Sequence, residues 1–218
     1  WGELRSGESV AGWPAAMVSV TFPAMTAPSP CLYVDVVDPL SFVMHLEVRQ
    51  VEESRGMRVR RLPLEVRPAP AELTDVDDPA WTGRWAEAES LLDVRGVSLV
   101  RPTLVPSSRK AHELLTHVGS LEGDVADRAF DVLFAAFFMD GRDIGRVDVL
   151  VGLGQSLGLD LTETKAVLDV DRYEEDVMQV LEGARLDEIE SPPVLTMGTN
   201  RLQGFHNQTA IGTFLAAP

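Results

Sequence analysis

One cysteine, Cys31, and four histidines are all that the 218-residue chain offers as thiol or imidazole groups. A lone thiol closes no intrachain disulfide, forms no CxxC redox pair and builds no cysteine-rich zinc site. A stapled secreted scaffold and a self-contained dithiol enzyme are therefore both excluded. Basic residues are scarce too: 19 Lys and Arg stand against 34 Asp and Glu, a formal charge of 19 − 34 = −15. That sign repels phosphate backbones and anionic bilayers, and no Lys/Arg-rich run offsets it locally, so neither nucleic acid nor a membrane surface is an expected partner. No apolar run approaches the roughly 20 residues that cross a bilayer. The N-terminus also lacks a signal peptide's order of basic start, apolar stretch and small-residue cleavage site, and a cytoplasmic location is expected.

What is present reads as an ordinary globular protein, 45% hydrophobic and 24% charged, long enough for one sizeable domain with an insertion or for two small ones. Residues 1–30 are rich in Gly, Pro, Ser and Ala with no sustained period, which predicts a poorly ordered leader. The chain opens on Trp1 with Met17 and Met25 inside that leader, so part of it is expected to lie upstream of the natural start.

Regular structure is expected from Cys31. The run Cys31 to Val37 is β-branched and aromatic, a buried strand broken by Asp38-Pro39. Asp38 suits a helix N-cap, and Pro39 suits the first helical position, where a fixed φ and a missing amide hydrogen cost nothing. The spacing of Phe42, Val43, Leu46 and Val51 predicts an amphipathic helix ending near Gly56, and Met57 to Val66 predicts a second strand. Strand, helix, strand is a βαβ unit with parallel strands. Residues 67–106 read as a long Pro- and Asp-rich connection with one short helix, Trp85 to Leu92.

From Ser107 to about Leu186 the period is helical, punctuated by Gly119, Gly141 and Gly158 as C-terminal stops, with Thr162 or Asp171 as caps. Gly152-Leu153-Gly154 and Gly158 imitate a dinucleotide-binding loop. No strand precedes them, so helix packing is the expected role. Phe134, Phe137 and Phe138 are expected to form core, or an interface if this block pairs two copies into a homodimer. Pro193 to Met197 then reads as a strand, Gly198-Thr199-Asn200 as a tight turn, Arg201 to Gln203 as a returning strand and Asn207 to Leu215 as a closing helix.

A βαβ half and a ββα half around a helical block resemble a thioredoxin fold with an inserted helical domain, the DsbA-like family. In its cytosolic branch of FrnE-like oxidoreductases, 2-hydroxychromene-2-carboxylate isomerases and kappa-class glutathione transferases, the first strand ends in C-P-W-C-Y or S-P-Y-S-W. The matching segment here is Asp38-Pro39-Leu40-Ser41-Phe42. Arg61 to Pro68 resembles the family's second strand, Ser108-Arg109-Lys110-Ala111-His112 its S/N-x-x-A-H helix start, and Phe134 to Ile144 its L-F-x-A-Y-F-x-E-G-x-D-I segment. Ser191-Pro192-Pro193-Val194-Leu195 matches G-V-P-T-F, which puts Pro193 at the family's cis-proline. The resemblance covers roughly residues 31–217. It implies an α/β, thioredoxin-like fold with a βαβ half and its connection over 31–106, a helical insertion over 107–188 and a ββα half over 189–218.

The resemblance also locates the site. Asp38 and Ser41 take the places of the two cysteines, and Pro39, Leu40, Phe42, Pro192, Pro193, His206 and Asn207 would line the groove. A carboxylate at a helix N-terminus is stabilised by the same field that stabilises a thiolate, but it cannot exchange disulfides, so dithiol activity is not expected. Cys31, on the order of 20 Å of extended chain from Asp38, does not substitute. Asp38 would repel a glutathione thiolate, and Gly204-Phe205-His206-Asn207 stands where the glutathione-using branch has G-x-D-R, although backbone contacts beside Pro193 would survive. Asp38, Ser41 and His45 share a helix face, but groups one turn apart rarely align as a triad. Two functions follow: a redox-inactive protein binding a peptide or small ligand in the cis-proline groove with no required cofactor and no metal, or a glutathione-dependent isomerase- or transferase-like enzyme.

Overall fold

The computed structural model describes residues 29–121 and 125–216, so the leader expected over 1–30 lies almost wholly outside the described residues. Strand β1 (Cys31–Val34) leads into helix α1 (Pro39–Arg55) and strand β2 (Arg60–Pro63). Helices α2 (Pro79–Asp93), α3 (Arg109–Gly119), α4 (Val125–Phe138), α5 (Val147–Ser156), α6 (Leu161–Asp169) and α7 (Glu174–Leu186) follow, and β3 (Val194–Met197), β4 (Asn200–Gln203) and α8 (Gln208–Ala216) close the chain.

The four strands make one mixed sheet in the order β2-β1-β3-β4. β1 runs parallel to β2 with Leu32 opposite Arg61, and antiparallel to β3 with Leu32 opposite Leu195. Alternation along β1 divides the core. Leu32 and Val34 join Val43, Met44 and Val48 of α1 in the main cluster, whereas Tyr33 joins Leu64, Leu181, Ala184 and Val194 in a second one. Successive strand side chains point to opposite faces, so α7 returns from the helical block to cover the face away from α1.

Both strands of the first half are shorter than their apolar runs. The strand expected over Cys31 to Val37 stops at Val34 because the backbone turns, with Asp38 N donating to the Asp35 carbonyl at 3.0 Å. The one expected over Met57 to Val66 pairs only over Arg60–Pro63, and Val66 N donates instead to the Asp35 carboxylate at 2.7 Å. Helix α1 starts as its sequence dictates, with Asp38 extended at φ −92°, ψ 120° and Pro39 in the first turn. It ends on Gly56, whose φ of 61° lets its N–H reach the Glu52 carbonyl.

Helix α2 begins six residues before the expected Trp85, because Asp78-Pro79 repeats the Asp38-Pro39 start: the Asp78 carboxylate accepts from Ala80 N and Trp81 N. Within the helical block, Asp160 rather than Thr162 caps α6, and Asp171 sits at φ 52° ahead of an α7 that has no side-chain cap. The glycine-rich stretch is helical: Gly152 and Gly154 lie inside α5, and a Cβ on Gly154 would stand 3.1 Å from Thr164 Cγ2 of α6. Close helix approach explains this glycine without a nucleotide. Phe134, Phe137 and Phe138 are core, at most 1% exposed. Phe42 of α1 stacks on Phe134 at 5.4 Å and on Phe138 at 5.2 Å, so the helical block is fastened directly to the helix that carries Asp38.

Candidate functional site

Asp38 caps α1 and is 4% exposed. One carboxylate oxygen accepts from Ser41 N at 2.7 Å and from Ser41 Oγ at 2.6 Å, while the other accepts from Arg84 Nε at 2.7 Å. Arg84 projects from the second turn of α2, and its Nη2 lies 2.6 Å from Asp38 and donates to the Pro192 carbonyl at 2.8 Å. The Pro192–Pro193 peptide bond is cis. A single guanidinium thus bridges the first residue of the Asp38-Pro39-Leu40-Ser41 motif to the carbonyl just before Pro193. Burial pushes the Asp38 carboxyl above the usual carboxylate range, while Arg84 and the Ser41 hydrogen bonds pull it back.

The network extends inward from this bridge. Ser41, fully buried, accepts from Asp35 N at 3.3 Å through the same Oγ that it donates to Asp38. The Asp35 carboxylate takes Val37 N at 3.3 Å and faces His112 Nε2 of α3 at 3.3 Å, both side chains at most 1% exposed. Asp35 therefore joins the end of β1, the residues after β2 and the helical block at one point. His45, on the same α1 face as Ser41, turns away from it: it is fully buried, its Nε2 lies 2.6 Å from Asp131 Oδ1 of α4, and burial holds its pKa below the usual histidine value. No Asp38, Ser41, His45 triad forms.

The other residues expected along the groove scatter. Phe42 and Leu40 are buried in the main core together with α4 residues, and Pro39 and Pro193 are buried as well. His206 bonds back to the Gln203 carbonyl at 3.2 Å, and Asn207 caps α8 by accepting from Ala210 N at 3.0 Å. Beside Pro193, Pro192 has no amide hydrogen to offer and its carbonyl already accepts from Arg84. Arg84 itself was not visible in the sequence as a site residue. Its only local signal is the Asp78-Pro79 start, which fixes the helical phase of Trp81, Arg84 and Trp85. Among the described residues no group of three or more His, Cys, Asp or Glu is arranged to hold a metal ion.

A four-stranded mixed sheet, a helix capped at Asp38, a cis-proline before β3 and six helices between β2 and β3 define a thioredoxin-type fold with a helical insertion. The DSBA-like thioredoxin domain model matches residues 31–209, and the chain belongs to that family. A Bacillus subtilis relative, the uncharacterized protein YwbO, is 25% identical over 79% of this chain and 88% of its own. A 2-hydroxychromene-2-carboxylate isomerase superposes with a TM-score of 0.71 at 16% identity, covering 86% of this chain and 92% of that one. A probable DsbA oxidoreductase from Streptomyces coelicolor gives 0.73 at 17% identity, covering 86% and 88%. The cytosolic disulfide reductase DsbM of Pseudomonas aeruginosa, in its structure with GSH, gives 0.64 at 14% identity, covering 86% and 96%. At these identities the structural likeness is one of fold.

Proposed function

We propose that this DsbA-family protein does no dithiol chemistry and instead binds a peptide or small ligand at the corner formed by the α1 N-terminus, Arg84 and the Pro192–Pro193 bond. The observation that carries the reading is the Asp38–Arg84–Pro192 bridge. Each group that could act on a substrate is satisfied within the protein: the carboxylate by Arg84 and Ser41, the hydroxyl by Asp38, the carbonyl by Arg84. A site wired this way holds a shape rather than a reactive atom. The partner is a peptide or small molecule rather than nucleic acid or a membrane, in keeping with the charge of −15. No described helix is long and apolar enough to cross a membrane, and the reading includes a cytoplasmic location with no required cofactor.

The likeness to an isomerase favours a second reading, a glutathione-dependent isomerase- or transferase-like enzyme. Calorimetry separates the two. Thiol-blocked insulin B chain, an extended peptide without free thiols, is expected to bind saturably to the wild type and weakly to Pro193→Ala, with no saturable heat from reduced glutathione. Saturable glutathione binding weakened by Ser41→Ala would move the choice to the enzyme, and binding of neither probe would remove the proposal.

A further inference from the structure

β2 is an outer strand of the sheet, paired with β1 on one side only. Arg60 N donates to the Pro30 carbonyl at 3.0 Å and Leu64 N to the Val34 carbonyl at 2.8 Å, so Arg60, Leu62 and Leu64 turn their main-chain groups toward β1. Alternate residues of a strand bond to opposite sides, and the main-chain groups of Arg61 and Pro63 therefore point outward. Among the described residues no hydrogen bond forms to the Arg61 N–H, the Arg61 carbonyl or the Pro63 carbonyl. Arg61 is 6% exposed as a residue but its side chain only 1%, so the part of it that meets solvent is main chain.

This open edge runs along a cavity of about 620 Å³ that all four residues of β2 line. Ala126 and Phe130 of α4 wall it on the side of the main core, Tyr173 and Val180, at and within α7, wall it on the other, and α3, packed against both helices, adds Leu115 and Gly119. The edge is closed at both ends. Val59 N donates to Glu52 Oε1 and the Val59 carbonyl accepts from Arg61 Nη1, while Pro63 has no N–H to give. One donor and two acceptors are left, so a partner pairs over a short stretch and long edge-to-edge association is blocked. Charge selects little: Arg61 is held by Glu52 and Asp127 by Arg58, which leaves Arg60 and Asp176, one of each sign, without an ion pair among the described residues.

We infer that the outer edge of β2 takes a short extended peptide segment of small uncharged residues as a fifth strand of the sheet. The segment's N–H and C=O groups pair with Arg61 and with the Pro63 carbonyl, and its side chains alternate between the Phe130 wall and the Val180 wall. The main-chain pattern sets the class: a donor and an acceptor on one residue, with a further acceptor two residues on, is what the backbone of another strand complements. This site shares no residue with the corner at Arg84 and does not depend on it.

The probe is acetyl-Thr-Val-Thr-Val-Thr-amide, an uncharged peptide of strand-forming residues, titrated into the full chain and read in ¹H–¹⁵N spectra and by amide exchange. It is expected to shift the Arg61 amide saturably and to slow the exchange of that amide at least tenfold. The same peptide N-methylated at every residue keeps its side chains and carbonyls but donates no hydrogen bond, and should bind at least tenfold more weakly. Gly119→Leu adds a side chain where a Cβ meets nothing within 4 Å and, with its thermal transition intact, should weaken binding at least fivefold. If that variant does not fold, the N-methylated peptide on the wild type decides alone. No saturable shift at Arg61, or equal affinity for the N-methylated peptide, overturns the inference. A response at the Ser41 and Val194 amides with none at Arg61 puts the peptide at the cis-proline corner, which rejects the edge and leaves the reading of that corner standing.

Discussion

Arg84 and Asp38 come from different helices and 46 positions apart in sequence, yet Arg84 Nη2 stands 2.6 Å from Asp38 Oδ1. Truncating Arg84 leaves a carboxylate that is 4% exposed without its cation. Breaking a fully buried pair costs about 3–5 kcal/mol, and because the Arg84 side chain is 32% exposed, water recovers part of that, so Arg84→Met should lose roughly 2–3 kcal/mol in urea unfolding at pH 7. Asp38→Asn with Arg84→Met should recover at least about 1 kcal/mol of the summed single losses. Strict additivity would show that the bridge is not a coupled unit.

Dithiol exchange should be absent in the wild type and restorable. Insulin reduction driven by dithiothreitol is expected at the uncatalysed rate, since Cys31, the one thiol, is half-buried and its pKa is raised chiefly by burial. Asp38→Cys with Ser41→Cys rebuilds the motif at a helix N-terminus beside Arg84, where both fields favour a thiolate. The double variant should accelerate the assay several-fold. A silent double variant that is folded and reducible would mean the scaffold has lost more than its cysteines.

His45 makes the fold acid-sensitive. Burial holds its folded pKa below the ordinary value of 6.5, against the pull of Asp131, so between those two values the unfolded chain binds more protons than the native one. Stability contributed by neutral His45 is therefore fully present above 6.5 and declines as pH falls through that value toward the lower folded pKa. Denaturant midpoints for the wild type minus His45→Gln should fall on going from pH 7.5 to pH 5. A difference that rises on acidification would mean His45 is protonated in the native state.

Glu52 and Arg61 form a buried bidentate pair, with 2.6 and 2.7 Å contacts and side chains 2% and 1% exposed. Glu52→Leu alone should cost about 3–5 kcal/mol, because it leaves the buried guanidinium with only Asp127 at 3.7 Å and takes the acceptor from Val59 N, whereas Glu52→Leu with Arg61→Met should restore part of it by removing the unpaired charge. Thermal unfolding of the three variants checks the ordering.

The legible parts of this fold are those decided within a few residues. Asp38-Pro39 sets the start of α1, and the positions of Phe42, Val43 and Val51 give its period, all local facts. Helix α2 was half hidden because prolines and aspartates dominate the preceding connection and mask its own Asp-Pro start. The motif residues Asp38 and Ser41 were found through resemblance, but their joint use with Arg84 was not, because Arg84 meets Asp38 across 46 positions and Pro192 across 108. Phe42 was expected along the groove, since its place in the motif says nothing of Phe134 and Phe138, which pull it into the core.

The central strand has a consequence for synthesis. β1 is paired on one side by β2, made soon after it, and on the other by β3, where Thr196 Oγ1 reaches the Cys31 carbonyl across 165 positions. At ribosomal speeds of about 5–20 residues per second, that edge of β1 waits roughly 8 to 33 seconds for its neighbour. For that interval the nascent chain carries an open β-edge beside Leu32 and Val34, so the time of greatest exposure to aggregation and to chaperones falls while the helical block is being made.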